Sequence, residues 1–161
     1  MTLLAWLIGF VLPACGANGA AGLPPPSLMD MTAIERPATP NTFLAGPAGM
    51  HPTPDQVTEP RDLPAGKLYE KIRLLLADQP HTYIAAEFPD QLQLHYVVRS
   101  RLMNYPDLVT VQVDPDGPDR ATFIIWSRSV YGYGDLGVNR ARANSWIALL
   151  RQPQPQQSNQ R

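Results

Sequence analysis

The chain has 161 residues, an apolar fraction of 44%, a charged fraction of 17% and a net charge of −1. This length suits one domain with appendages. A nearly neutral chain without a basic stripe interleaved with aromatics is not expected to bind nucleic acid. The single cysteine, Cys15, excludes an intrachain disulfide, and the three histidines are too far apart to suggest a zinc site. No metal and no cofactor is therefore predicted.

The N-terminus is an uncharged apolar run, "MTLLAWLIGFVLPAC", that ends at the only cysteine. It is shorter than the ~20 residues of a comfortable membrane span. Residues 1–22 are therefore read as a lipoprotein signal that ends in lipidation at Cys15, an uncleaved membrane anchor, or a cleaved secretory signal. A buried helix of a soluble protein fits less well, because glycine and three prolines follow the run. We expect a membrane-anchored protein that faces the periplasm of a bacterial envelope.

Proline-rich sequence follows over residues 23–61, with stretches such as "GLPPPS" and "ERPATPNT". Such sequence favours an extended, semi-rigid linker that holds a domain away from the membrane. Its apolar middle, "FLAGPAGM", is suited to pack as a strap over the domain. At the other end of the chain, residues 152–161 are polar and low in complexity and are expected to be disordered.

A folded domain is predicted over residues 62–151, and it opens with a helix in "DLPAGKLYEKIRLLLADQP". Asp62 is placed to cap this helix, Pro64 fits the first turn, and Pro80 ends it. One apolar stripe of the helix faces the core: Leu68, Ile72, Leu75 and Leu76.

Four strands are predicted after this helix, at residues 82–88, 91–101, 108–113 and 121–129. In the first strand, alternation places Ile84, Ala86 and Phe88 on one side. In the second, one side carries Leu92, Leu94, Tyr96 and Val98, and the other carries Gln91, Gln93, His95, Val97, Arg99 and Arg101. The polar side is expected to face solvent or the proline-rich segment.

The last stretch, "SRSVYGYGDLGVNRARANSWIALL", predicts a sharp turn from a strand into an amphipathic helix. Gly132 and Gly134 permit unusual dihedral angles, and Asp135 can cap the helix. The helix then buries Ala143, Trp146, Ile147 and Leu150. The predicted fold is α+β, with about four antiparallel strands flanked by an N-terminal and a C-terminal helix on one face.

The same turn collects the candidate ligand residues, because a helix N-terminus with nearby arginines can hold an anion. The candidates are Arg99, Arg101, Ser127, Arg128, Ser129, Asp135, Asn139, Arg140 and Arg142. A structural alternative is that the arginines pair with Asp107 and Asp135 and lock the turn. In that case the protein is a structural spacer.

No pair of residues in the sequence suggests a nucleophile with its general base, so no catalytic residue is assigned. The leading hypothesis is a non-enzymatic, membrane-tethered module that binds an unknown protein or a small anionic ligand. The enzymatic alternative is a small envelope hydrolase that uses His95 and Asp135 as acid and base. The oligomeric state is left open.

The stretch from Ser127 to Arg142 resembles the signature of the domain of unknown function 1499 family, approximately S-R-S-x-x-G-x-x-D-x-G-x-N-R-x-R. "YVVRSRLMNYPDLVTVQV" and "RPATPNTFLAGPAG" are similar to its upstream blocks, so the likeness covers roughly residues 36–150. The resemblance implies an envelope or thylakoid-type location behind a hydrophobic N-terminus, and it implies no particular activity. Many family members carry cysteines flanking the Pro-Asn motif, where this chain has Arg36 and Thr42. Any role of those cysteines is therefore missing here.

Overall fold

The computed structural model describes residues 13–152, so the predictions for residues 1–12 and 153–161 lie outside it. The described chain has an α+β fold with one mixed six-stranded sheet and three helices. The helices are α1 (Pro13–Gly16), α2 (Ala65–Ala77) and α3 (Val138–Arg151). The strands are β1 (Thr42–Gly46), β2 (Gln56–Val57), β3 (Thr82–Phe88), β4 (Gln93–Arg99), β5 (Pro106–Pro115) and β6 (Ala121–Ser129). Over this range, no helix has the length and apolar character needed to cross a membrane.

The sheet has the strand order β2-β1-β6-β5-β4-β3. The four predicted strands form an antiparallel meander from β3 to β6, in which each strand pairs with the next. The predicted number of strands is wrong, because β1 pairs antiparallel with β6 and β2 pairs parallel with β1. Both additional strands lie in the proline-rich segment.

The physical reason for β1 is that β6 is buried on both faces and therefore needs a partner along its outer edge. The short stretch "TFLAG" meets this need, and all five of its residues are buried. Five residues between a proline and glycines give too little periodicity to be recognised as a strand from the sequence.

Helices α2 and α3 cover the same face of the sheet, as predicted. Their apolar stripes and the inward side chains of the strands form one core: Phe43, Ala45, Leu68, Tyr69, Ile72, Leu76, Leu94, Tyr96, Val98, Val109, Val111, Val113, Ala121, Phe123, Ile125, Ala143, Trp146, Ile147 and Leu150. Tyr96 and Trp146 meet edge to face, with ring centroids 5.8 Å apart. This core fixes the strand faces, so the opposite side chains of β4, β5 and β6 point away from the helices.

A β-bulge in β3 overturns the predicted sidedness of that strand. The pairing passes from Ile84↔Tyr96 to Ala86↔His95, so Ala85 has no partner in β4. An extra residue reverses the alternation beyond it. Ile84 packs against the helix-side core, whereas Phe88 lies on the other face, with its ring 5.5 Å from that of His95.

Asp62 does not cap α2, contrary to the prediction. Pro64 holds the N-cap position and no side chain bonds to the first turn. The Asp62 carboxylate is exposed and lies 3.7 Å from the guanidinium of Arg120. The helix ends at Ala77, before Pro80.

Residues 20–34, here called the cover segment, lie across the second face of the sheet. Met31 and Ile34 pack with Leu44, Ile124 and Trp126 in a second apolar cluster. The side-chain amide of Gln93 bonds both ways with the backbone of Met29, accepting from its N–H at 2.8 Å and donating to its carbonyl at 2.7 Å. The sheet is therefore enclosed between helices on one face and extended chain on the other.

Candidate functional site

The corner between β6 and α3, residues 130–137, uses two glycines and one aspartate. Gly132 and Gly137 have φ of 88° and 80°, values that only glycine adopts without strain. Gly134, which the sequence also singled out, does not have a positive φ. The Asp135 carboxylate accepts the backbone N–H groups of Gly137 and Asn139 at 2.9 and 2.7 Å. Gly137 holds the N-cap position, and Asp135, two residues before it, accepts an N–H group of the first turn as the sequence predicted.

Asp135 keeps its charge in this position. Burial raises the pKa of its carboxyl, but the hydrogen bonds from Asn139 and Gly137 lower the pKa by more than burial raises it. The net pKa therefore lies below its ordinary value. The N–H groups at the start of α3 therefore already face a bound carboxylate. Another anion at the same point would meet its negative charge.

Beside the helix start, three buried side chains and the nearly buried Arg142 form what we call the corner lock: Asp107, Ser127, Asn139 and Arg142. Arg142 lies 2.5 Å from Asp107 and also donates to Ser127 and Asn139, at 3.1 and 2.9 Å. The Asn139 amide donates to the carbonyl of Asn41, the hydroxyl of Ser129 and the Asp135 carboxylate. The lock joins β5, β6, α3 and the start of β1.

Arg140 lies outside this lock, on the exposed side of α3. Its guanidinium is 3.4 Å from the Asp55 carboxylate and 4.9 Å from the ring centroid of Phe43. Asp55 also binds Arg36 at 2.7 Å and accepts the Leu44 N–H. Arg140 is therefore engaged with the segment that follows β1.

Arg99 and Arg128 lie on the opposite face of the sheet from the corner lock. The buried guanidinium of Arg99 donates to the backbone carbonyls of Ala14, Gly19 and Ala21. The Asn104 amide donates to the carbonyls of Cys15 and Ala17. We call Arg99 and Asn104 the clasp, because together they hold the N-terminal segment by its backbone.

Arg128 is exposed at the end of β6, and within residues 13–152 no side chain or carbonyl is bonded to its guanidinium. Arg101 is exposed in the loop between β4 and β5. The predicted candidates thus divide: Ser127, Ser129, Asp135, Asn139 and Arg142 come together, Arg140 lies on the outer side of α3, and Arg99, Arg101 and Arg128 lie elsewhere.

The structure does not bring His95 and Asp135 together. His95 lies on the cover-segment face of β4, where its Nε2 is 2.7 Å from Gln93 Oε1 and its Nδ1 is 3.2 Å from the Thr110 hydroxyl. Asp135 is bonded to the start of α3. Each group is held by separate partners, and the sheet lies between them.

A cavity of about 460 Å³ lies between the cover segment and the sheet. Its walls are mainly apolar, with Leu23, Leu28 and Met29 on the cover side and Val97 and Leu108 on the sheet side. The polar groups that line it are few: His95, Thr110, Ser27 and Arg128. Arg128 is the only charged group among them.

His95 is uncharged in this cavity. Burial lowers the pKa of its imidazole to about 4. With Gln93 Oε1 as an acceptor, Nε2 carries the hydrogen and Nδ1 accepts from Thr110. Both ring nitrogens are thus used in holding the wall of the cavity.

The model of the family described as protein of unknown function (DUF1499) matches residues 34–150, which is most of the chain. This chain belongs to that family. Neither the curated proteins nor the solved structures give a significant match. The match begins within the cover segment, so the DUF1499 unit includes β1 and β2 as well as the meander.

The signature block of the DUF1499 chain therefore supplies mainly structural groups. Ser127, Asn139 and Arg142 belong to the corner lock, and Asp135 holds the helix start. Sequence reasoning missed Asn104 and Asp55, because a partner's position in the fold is needed to see what a lone amide or carboxylate contacts. It also missed the cavity, whose cover side comes from sequence without periodicity. No group of three or more His, Cys, Asp or Glu in residues 13–152 is arranged to hold a metal ion.

Proposed function

We propose that this protein is a non-enzymatic, membrane-tethered binding module outside the cytoplasm, and that its ligand occupies the cavity between the cover segment and the sheet. The ligand has an apolar body and one anionic head, as in a fatty acid or a single-chain lipid phosphate. The observation that carries the proposal is Arg128, an arginine without a partner in the described chain, at a mainly apolar and otherwise uncharged cavity.

The size and lining of the cavity support a ligand of this class. Small-molecule sites span roughly 300–1,000 Å³ and combine apolar walls with a few polar groups. The cavity of about 460 Å³ falls within that range, and the side chains of Leu23, Leu28 and Leu108 form apolar parts of its wall. A small inorganic anion would leave most of these walls without contacts.

The charge at the cavity supports an anionic head. Arg142 and Arg140 each have a carboxylate within 3.4 Å, and four backbone carbonyls accept hydrogen bonds from Arg99. Arg128 differs from all three, because its five donors are available to a carboxylate or phosphate. His95 is neutral and adds no competing positive charge.

Contacts of the N-terminal segment favour the uncleaved anchor among the three alternatives for residues 1–22. Cys15 is fully buried, and the clasp holds the carbonyls of residues on both sides of it. A lipidated cysteine would have to leave this position. Cleavage before Cys15 would remove the Ala14 carbonyl, and cleavage beyond Ala21 would also remove those of Gly19 and Ala21, so the buried guanidinium of Arg99 would lose hydrogen-bond acceptors.

The proposal is tested by binding of a fluorescent polyene fatty acid and of its corresponding alcohol to the full-length protein in detergent. We expect the acid to bind more tightly than the alcohol, because only the acid can pair with Arg128. Arg128→Gln should lower the affinity for the acid by roughly 10-fold or more, since a charge-assisted hydrogen bond contributes ~1.5–3 kcal/mol. Affinity for the alcohol should hardly change.

Arg140→Gln is the matched control, because it removes the same charge from an exposed position away from the cavity. Its affinity for the acid should equal that of the unaltered protein. Equal binding of acid and alcohol, unchanged in Arg128→Gln, would contradict the proposed role of Arg128. Failure of both probes to bind would contradict the cavity as a lipid site.

A further inference from the structure

Three apolar side chains stand exposed at one end of the molecule. Tyr133 is 74% exposed, Leu136 is fully exposed and Val138 is 47% exposed. Leu136 also has a φ of 54°, in the left-handed region that leucine rarely adopts. A fold that needed only a turn here would be served by a small polar residue. We call these three residues the apolar tip.

A second loop lies beside the corner that carries the apolar tip. The N–H of Val130 donates to the carbonyl of Pro106 at 3.2 Å, and the rings of Tyr105 and Tyr131 are 6.4 Å apart. These contacts join the corner to the loop between β4 and β5. That loop carries exposed Leu102 and Arg101.

The N-terminal chain reaches the same end of the sheet. Arg99 is the last residue of β4, and Asn104 belongs to the loop between β4 and β5. Through these two residues the clasp holds Ala14, Cys15 and Ala17 next to that loop. The uncharged apolar residues 1–12 therefore join the described chain beside the loop that contacts the corner.

We propose that this end of the domain lies on the lipid bilayer, with the apolar tip inserted among the lipid head groups and acyl chains. The inference rests on the proposed tether: the clasp holds Ala14, Cys15 and Ala17 at this end, so the apolar residues 1–12, which are too few for the ~20 of a full span, would enter the bilayer from here. Exposed apolar and tyrosine side chains suit the boundary between head groups and hydrocarbon. Arg101 suits the phosphates above it.

This placement also gives the cavity a direct relation to the bilayer. Arg128 lies at the end of β6 that leads into the corner, and Leu108 is its partner in the neighbouring strand β5. The charged end of the cavity is therefore the end nearest the membrane. A lipid with an acidic head can reach Arg128 without crossing the aqueous phase.

The experiment uses the full-length chain reconstituted into vesicles of phosphatidylethanolamine and phosphatidylglycerol. Leu136→Cys is labelled with bimane, and the vesicles carry a nitroxide quencher on the lipid acyl chain. The matched control is Asp119→Cys in the turn between β5 and β6, at the other end of β6 from the corner. The unaltered chain, taken through the same labelling, measures any reaction of the buried Cys15.

We expect lipid-borne nitroxide to quench bimane at position 136 several-fold more than bimane at position 119. Tyr133→Asp should reduce quenching at position 136, while the protein still floats with the vesicles. Equal quenching at positions 136 and 119 in protein that floats with the vesicles overturns this inference and leaves the tether intact. A chain that does not float with the vesicles overturns both the tether and this inference.

Discussion

Replacing Arg142 tests whether the arginines of the corner are structural. The side chains of Arg142 and Asp107 are only 10% and 9% exposed, and their charged groups are 2.5 Å apart. Arg142→Met keeps most of the side-chain volume but leaves the Asp107 carboxylate buried without a cation. Losing one partner of a buried ion pair costs about 3–5 kcal/mol. The total free energy of unfolding of a domain is about 5–15 kcal/mol, so this loss is large.

The measurement is urea unfolding followed by tryptophan fluorescence, because Trp146 belongs to α3 and is buried in the core. Arg140→Met on the same helix is the control, and it should cost no more than about 1 kcal/mol because its pair with Asp55 is solvent-exposed. The double variant Asp107→Asn with Arg142→Met should be more stable than Arg142→Met alone, since the uncompensated charge is gone. The reasoning is refuted if Arg142→Met costs less than about 1 kcal/mol, or if the double variant is no more stable.

Three further predictions concern other parts of the molecule. His95 has a folded pKa of about 4, below the unfolded ~6.5, so only the unfolded chain takes up this proton as the pH falls. Between pH 8 and pH 5 the unaltered protein should therefore lose about 2 kcal/mol of stability through His95, and His95→Gln should not show this loss when urea unfolding is measured at both values. An equal loss in the variant would mean that His95 is charged in the fold. Gly137→Ala should destabilise by roughly 1–2 kcal/mol because of its positive φ, while Gly134→Ala should have little effect; equal melting temperatures for the two variants would argue against strain at the corner. Finally, burial raises the pKa of the Cys15 thiol, so intact mass should show an unmodified cysteine that reacts with Ellman's reagent only after denaturation; a mass increase of a lipid would contradict the retained anchor.

The regular part of the fold could be predicted from periodicity. The alternation in "VTVQV", the β-branched and aromatic run "TFIIW" and the helical stripe of Trp146 and Ile147 are all local signals, and β6 has the predicted bounds. The additional strands could not be predicted, because β1 is a strand only by pairing with β6, 80 residues further along the chain. A five-residue stretch carries no sequence signal for such a long-range pairing.

The candidate site shows the same division. Asp135 could be placed at the helix start from local sequence, and hydrogen bonds to the next turn confirm that position. Arg128 projects from the cover-segment face of β6, whereas Arg142 contacts Ser127 on the helix-side face. The sequence could not predict this separation, because β6 carries apolar residues on both faces. The cavity depends on the path of the cover segment, which has no period that would predict it.

The bulge at Ala85 also bears on how the protein avoids aggregation. A straight outer strand offers unpaired N–H and carbonyl groups to any neighbouring chain. Here β3 forms one border of the sheet and is kinked at Ala85, while the other border is β2, a strand of only two residues. Neither border offers the long, flat ladder that fibril growth requires, so many copies can crowd together without joining into a continuous sheet.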